Sequence, residues 1–337
     1  MEVGLSLGIS HREPISHTVE IVQSAEELGF DSVWVADCQL SMKDCFAALI
    51  LCAANTSTIN LGTGVTNPVT RHPTTLANTF SALQEISDGR ALIGIGSGWT
   101  AVFSIGLKPA SIRQLEEAIV DIRKLSSGEE VADREGGRYH LLTARGAMPI
   151  YVAANQPRIL RMAGRVADGV ILMGGASTEF TAWQIAHVRR GAEEAGRRLE
   201  DIKLDLWTTI AVSDDREQAI ADVRHWVASQ AETFSQWREL PEFLRPFEKD
   251  LERAGKAYNR LEHMSRHAGH REVVSPELVN YLALVGPADE CLERIRKLET
   301  LGLDGVTLAF RAGGRRETME ALHEGIIKPL KDSRVRQ

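Results

Sequence analysis

The sequence predicts an α/β fold, a (β/α)8 TIM barrel with an insertion between the seventh and eighth strands. Three observations predict it. Eight short apolar runs alternate with segments of helical period, and parallel neighbours need such crossovers. Six of the runs end in polar or glycine-rich residues, where barrels of this class place their ligand-binding loops. The 337 residues, 43% apolar and 25% charged, suffice for one soluble barrel with a large core.

In chain order, Val3 to Ile9 reads as the first strand. Ser16 is a plausible N-cap of a helix through Glu27, stopped by Gly29. Ser32 to Asp37 is the second strand and runs into Cys38-Gln39; Lys43 to Thr56 is helical. Ile59 and Leu61 open a buried third strand that ends in Gly62-Thr63-Gly64-Val65 and a polar Thr66-Asn67-Pro68 corner. The two glycines there suit a positive φ or the close approach of a ligand, although an ordinary strand-to-helix turn explains the same residues. Thr74 to Ile86 is a helix, and Ser87 to Arg90 turns the chain. Ala91 to Gly98 is the fourth strand. Ser111 to Leu125 follows with apolar residues at Leu115, Ile119, Ile122 and Leu125, the spacing of one helical face. Pro149 to Ala154 is the fifth strand, and Pro157 suits the first turn of the next helix. Gly169 to Met173 is the sixth strand and Glu179 to Ala195 a helix. Ile202 to Val212 is the seventh strand, with Asp214 or Asp215 capping the helix that follows. Gly305 to Phe310 is the eighth, with a terminal helix through about Leu330. Residues 228–286 break the rhythm, and their charge and aromatic content read as a helical insertion within a single domain spanning 1–337.

Bulk charge narrows the function. A formal charge of −7 leaves no basic footprint for nucleic acid or an anionic membrane. No apolar run reaches membrane-spanning length and no signal-like start is visible, so a cytoplasmic protein is expected. Cys38, Cys45, Cys52 and Cys291 form no Cys-x-x-Cys pair and read as reduced, buried thiols. His263, His267 and His270 share helical spacing but lack carboxylate or cysteine help and stand among Arg260, Arg266 and Arg271. They read as a solvated basic face, and no metal site is expected.

The candidate chemistry lies at the strand ends. Asp37 suits an acid, an acceptor for a ring N–H, or a helix N-cap. Gly96-Ser97-Gly98 and Gly174-Gly175 each precede a helix and could turn backbone N–H groups toward a phosphate. Gly-x-Gly alone is not a dinucleotide fingerprint, and no Gly-x-Ser-x-Gly elbow is present.

Leu61-Gly62-Thr63-Gly64-Val65-Thr66-Asn67-Pro68, Leu92-Ile93-Gly94-Ile95-Gly96-Ser97-Gly98 with Phe103 to Pro109, and Pro149 to Pro157 with Ala167 to Val170 carry a resemblance. Together, and in order along nearly the whole chain, they resemble the coenzyme F420-dependent methylenetetrahydromethanopterin reductases, within the luciferase-like flavin or F420 oxidoreductases. The resemblance implies the same barrel, with F420, or alternatively FMN, lying across its mouth. It implies a non-prolyl cis peptide, by position Gly64–Val65, behind the ring. Thr66, Asn67, Asp37, the Gly96-Ser97-Gly98 turn, the Ala154-Asn155-Gln156 turn and Gly174-Gly175 would hold ring and phosphate end. Hydride would pass directly between ring and a small-molecule substrate. The chain departs from the reductases at three places: Ser6 stands for a glutamate, Cys38 for a histidine and Trp99 for an acid. Asp37, Cys38 and Trp99 then occupy the catalytic positions, and the altered set points away from the pterin as substrate. Two other readings stay open: an FMN-dependent monooxygenase served by a separate flavin reductase, and a non-catalytic flavin-binding barrel. A homodimer or larger homo-oligomer is expected by analogy.

Overall fold

The computed structural model describes residues 1–132, 135–258, 269–310 and 315–335. Two compact units emerge, one of residues 2–171 and 186–205, the other of residue 1, 172–185 and 206–337.

The first unit contains five consecutive parallel strands: β1 (Glu2–Leu7), β2 (Ser32–Val35), β3 (Asn60–Thr63), β4 (Ala91–Ile95) and β5 (Ile150–Ala154). Helices α1 (Ser16–Glu27), α2 (Cys45–Ala54), α3 (Pro73–Ile86) and α4 (Ile112–Ser126) make the crossovers between them. All four residues of β2 are buried, as expected of a strand covered on both faces. Trp34 sits in register with Gly62 of β3, and a Cβ on Gly62 would lie 2.5 Å from the indole. The same indole lies 3.2 Å from a Cβ built on Gly94 of β4, and its ring meets Tyr151 of β5 edge-on at 5.2 Å. Glycine at 62 and 94 therefore makes room for one large side chain across neighbouring strands.

The caps follow local chemistry. Ser111 and Gln114 form a reciprocal capping box on α4. Asp44 caps α2, accepting from Ala47 N at 2.9 Å. The start of β3 is fixed by Glu26 at the end of α1, whose carboxylate accepts from the backbone N–H groups of Ser57, Thr58 and Ile59 at 2.6–2.9 Å. Burial works against its charge, but these bonds outweigh it and hold its pKa below the usual carboxylate value.

The second unit contains most of β7 (Lys203–Val212), which follows β6 (Gly169–Leu172) in the chain, with β8 (Leu284–Gly286) and β9 (Gly305–Ala309). β8 pairs in parallel with the end of β7, Leu284 opposite Ile210. Phe180, Phe234, Leu251, Leu278 and Leu282 centre its core, with Trp183, Trp237 and Phe243 packed against them. The stretch 228–286 does not start at an element boundary, and it departs from the helical expectation at its end. Ala228 lies inside a 20-residue helix, Arg216–Ser235, capped by Asp215, and Leu284–Gly286 is a strand. Three residues between a helix and Pro287 are too few to show a period of two. His263, His267, Arg260 and Arg266 lie outside the described residues. Among the described residues no helix is long and apolar enough to cross a membrane, and no cluster of metal-ligating side chains is found.

Replacing Glu26 by alanine is expected to cost about 1–3 kcal/mol of stability by orphaning three N–H groups. Because the folded pKa is lowered, the Glu26 contribution is full above the unfolded pKa and vanishes as pH falls through the folded value. Urea titrations of both proteins at pH 7 and pH 3 should show the gap closing in acid.

Candidate functional site

The C-terminal ends of β2 to β5 converge in the first unit, and β3 supplies the centre. Gly64–Val65 is a cis peptide, at the position the resemblance implied. The ladder resumes beyond it: Thr66 N donates to Gly94 O and Gly96 N donates to Thr66 O, both at 2.9 Å. Val65 faces position 96, where a Cβ would come 3.2 Å from Val65 Cγ2 and 3.7 Å from Ala153 Cβ. Gly98 has φ +83°, and a Cβ there would strike Val102 and approach Asn67 to 3.1 Å. The chain after β4 thus places two glycines, Gly96 and Gly98, beside Val65 and Asn67.

Asn67 is buried, and its Oδ1 is consumed locally by Val69 N, Thr70 N and the Thr70 hydroxyl at 2.9–3.2 Å. Its Nδ2 donates to no protein group among the described residues. Asp37 follows β2 and caps no helix, since Asp44 takes that role. Its carboxylate instead accepts from Thr66 Oγ1 at 2.7 Å and from Arg71 Nε at 2.9 Å and Nη2 at 3.2 Å. Arg71 is the residue that sequence reasoning missed. It stands in the loop after Asn67, and nothing in the spacing marks its partner 34 positions earlier.

Cys38 is buried with its thiol pushed up by burial, while the Ser41 hydroxyl and N–H act against the shift. Its carbonyl accepts from Ser41 N and Met42 N. Trp99 is half-buried and packs edge-on against Phe103 at 4.9 Å. Gln39 Nε2 donates to Ala101 O at 2.8 Å and joins the loops after β2 and β4. Ser97 accepts from Ala110 N through its carbonyl. Ala154 ends β5 buried, Asn155 is half-buried, and Gln156 is exposed at the start of α5 (Pro157–Val166). Gly174 and Gly175 belong to the second unit. Gly174 packs on Gln184, and Gly175, at φ +85°, packs on the Leu282 backbone.

A Cys38 thiol raised by burial, an indole and an ion-paired carboxylate make a poor set for strong general acid catalysis. The same ends set the Val65 side chain against Gly96, uncharged, with an amide donor at Asn67 beside them. That combination fits a planar ring carrying acceptors.

A family model, the luciferase-like monooxygenases, matches residues 1–305. The chain belongs to that family. Among relatives of this luciferase-like chain, the 5,10-methylenetetrahydromethanopterin reductase of Methanolobus tindarius is 28% identical over 313 residues, 90% of this chain and 93% of the relative. The F420-dependent glucose-6-phosphate dehydrogenase of Microbacterium testaceum is 30% identical over 309 residues, covering 81% and 91%. The solved structure of the coenzyme F420-dependent tetrahydromethanopterin reductase from Methanopyrus kandleri superposes with a TM-score of 0.79 at 23% identity, covering 97% and 98% of the two chains. That likeness shows the fold: eight parallel strands with flanking helices, the (β/α)8 barrel the sequence predicts. These relatives are oxidoreductases, and the luciferase-like chain is an enzyme of that kind.

Burial raises all four thiols, to about 12 at Cys52 and about 11 at Cys291. A raised thiol pKa leaves little thiolate at pH 8. Native protein should therefore react with a disulfide reagent far more slowly than guanidine-unfolded protein, which should release all four at once. A fast native phase at pH 8 would contradict this burial.

Proposed function

We propose that the chain is an F420-dependent oxidoreductase, moving hydride between the deazaflavin and a small organic substrate other than methylenetetrahydromethanopterin. The observation that carries this reading is the convergence of Val65, Gly96 and Gly98 beside Asn67, whose Nδ2 donates to no protein group among the described residues. Family membership and the F420-dependent relatives support it.

A bound deazaflavin supplies the hydride chemistry, and the chain supplies placement. The Gly64–Val65 loop backs the ring. The Gly96-Ser97-Gly98 turn would border its edge, Asn67 Nδ2 would donate to a ring acceptor, and Ala154-Asn155-Gln156 would border the same mouth, while buried Thr66, its hydroxyl, N–H and C=O all bound to protein, would fix the loop. Cys38 and Trp99 shape the substrate side. Cys38 keeps its proton at neutral pH and is a weak donor. Trp99 offers an apolar wall where the reductases carry an acid. Such a mouth suits a substrate whose reacting carbon needs no strong acid nearby. The family description also favours a second reading, an FMN-dependent monooxygenase fed by a separate flavin reductase.

Absorbance and fluorescence titrations with F420 and FMN side by side test the two. Micromolar or tighter F420 binding with hydride exchange is the expected result. FMN preference with NADH-linked oxygen uptake would establish the monooxygenase instead, and binding of neither would overturn both.

A further inference from the structure

We propose that Arg71 is a positioning residue that acts through Asp37 and Thr66 to set the loop on which the cofactor rests. The inference builds on the oxidoreductase reading and reassigns Asp37 from reacting group to support.

Both carboxylate oxygens of Asp37 accept from protein side chains. Its side chain is 3% exposed, with Oδ2 shared by Thr66 Oγ1 and Arg71 Nε, and Oδ1 facing Arg71 Nη2. The Cys45 thiol also faces it, Asp44 and Cys38 lie nearby, and Arg71 is the cation that answers them. A carboxylate gripped in this fork orients the groups that hold it, Thr66 on one side and Arg71 on the other.

Arg71 is itself held from three sides. Nη2 donates to Asp44 at 2.8 Å, its guanidinium lies 4.6 Å from the centre of the Phe46 ring, and Nε is committed to Asp37. Burial opposes its charge, yet the two carboxylates outweigh that and raise its pKa further. Asp44 caps α2, so the arginine ties the end of β2 to the first turn of a helix. The output of the clamp is Thr66, whose hydroxyl proton is spent on Asp37 while its N–H and C=O are bound to Gly94 and Gly96. Thr66 is then pinned through side chain and backbone, one residue beyond Val65.

The test is a double-mutant cycle between Arg71→Gln and Thr66→Val. The readouts are the dissociation constants of F420 and FMN, the melting temperature, and amide exchange of residues 64–70. Each single variant is expected to weaken cofactor binding about tenfold, equivalent to about 1.4 kcal/mol. The double variant should be no weaker than the worse single, because both remove the same restraint. Arg71→Lys, which keeps a cation beside Asp37, should recover part of the loss. Multiplying losses, or an Arg71→Gln affinity within twofold of the parent, would overturn the clamp. Should Arg71→Gln fail to fold, the Asp37→Asn/Arg71→Met pair leaves no unpaired buried charge and takes its place. If the parent binds neither cofactor, the oxidoreductase reading falls and exchange alone decides. Faster exchange of 64–70 in both singles, with no further gain in the double, supports the clamp. Unchanged exchange refutes it.

Discussion

The first unit depends on how closely β3 and β4 approach. A Cβ on Gly94 would lie 1.9 Å from the Thr63 carbonyl oxygen. Thr63 exploits this closeness, its hydroxyl donating to Gly94 O at 2.7 Å and accepting from Gly94 N at 3.2 Å. Because the strands are that near at Thr63, the chain can pass through Gly64–Val65 and rejoin β4 at Thr66. The candidate site lies beside this detour; of the glycines around it, Gly94 is required by backbone contact, Gly98 by its positive φ, and Gly96 meets side chains.

Charge placement follows from the same detour. Barrel enzymes gather ionisable groups at strand ends because the termini converge there. Here the carboxylate in the centre is neutralised by an arginine, the thiol beside it is held protonated by burial, and the third position is an indole. At these three positions of the first unit, charge is either paired or suppressed by burial.

Much of this was legible in the sequence. Periodicity located the eight strands of the barrel because each apolar run is bounded by Gly, Pro or a capping residue, as Asp215 and Ser111 illustrate. The Gly64–Val65 position came from the resemblance alone, since propensity has nothing to say about a non-prolyl cis bond. Two things were hidden. Asp37 stayed open as an acid, a ring acceptor or a cap because its partners Thr66 and Arg71 are 29 and 34 residues away and no local pattern joins them. β8 was hidden because three residues cannot display alternation. Pairing across the fold and very short strands both depend on tertiary contact, which a single sequence does not encode locally.

The indole of Trp34 spreads over Gly62 and Gly94, so one side chain fills the volume that three strands would otherwise divide among them. These positions share a single space, and none can change size freely. A lineage that exchanged the indole for a smaller group would ease a methyl at position 62, but at 94 only where the Thr63 carbonyl also withdrew. Drift at this trio should therefore be correlated, with the narrowest of the three, position 94, last to yield.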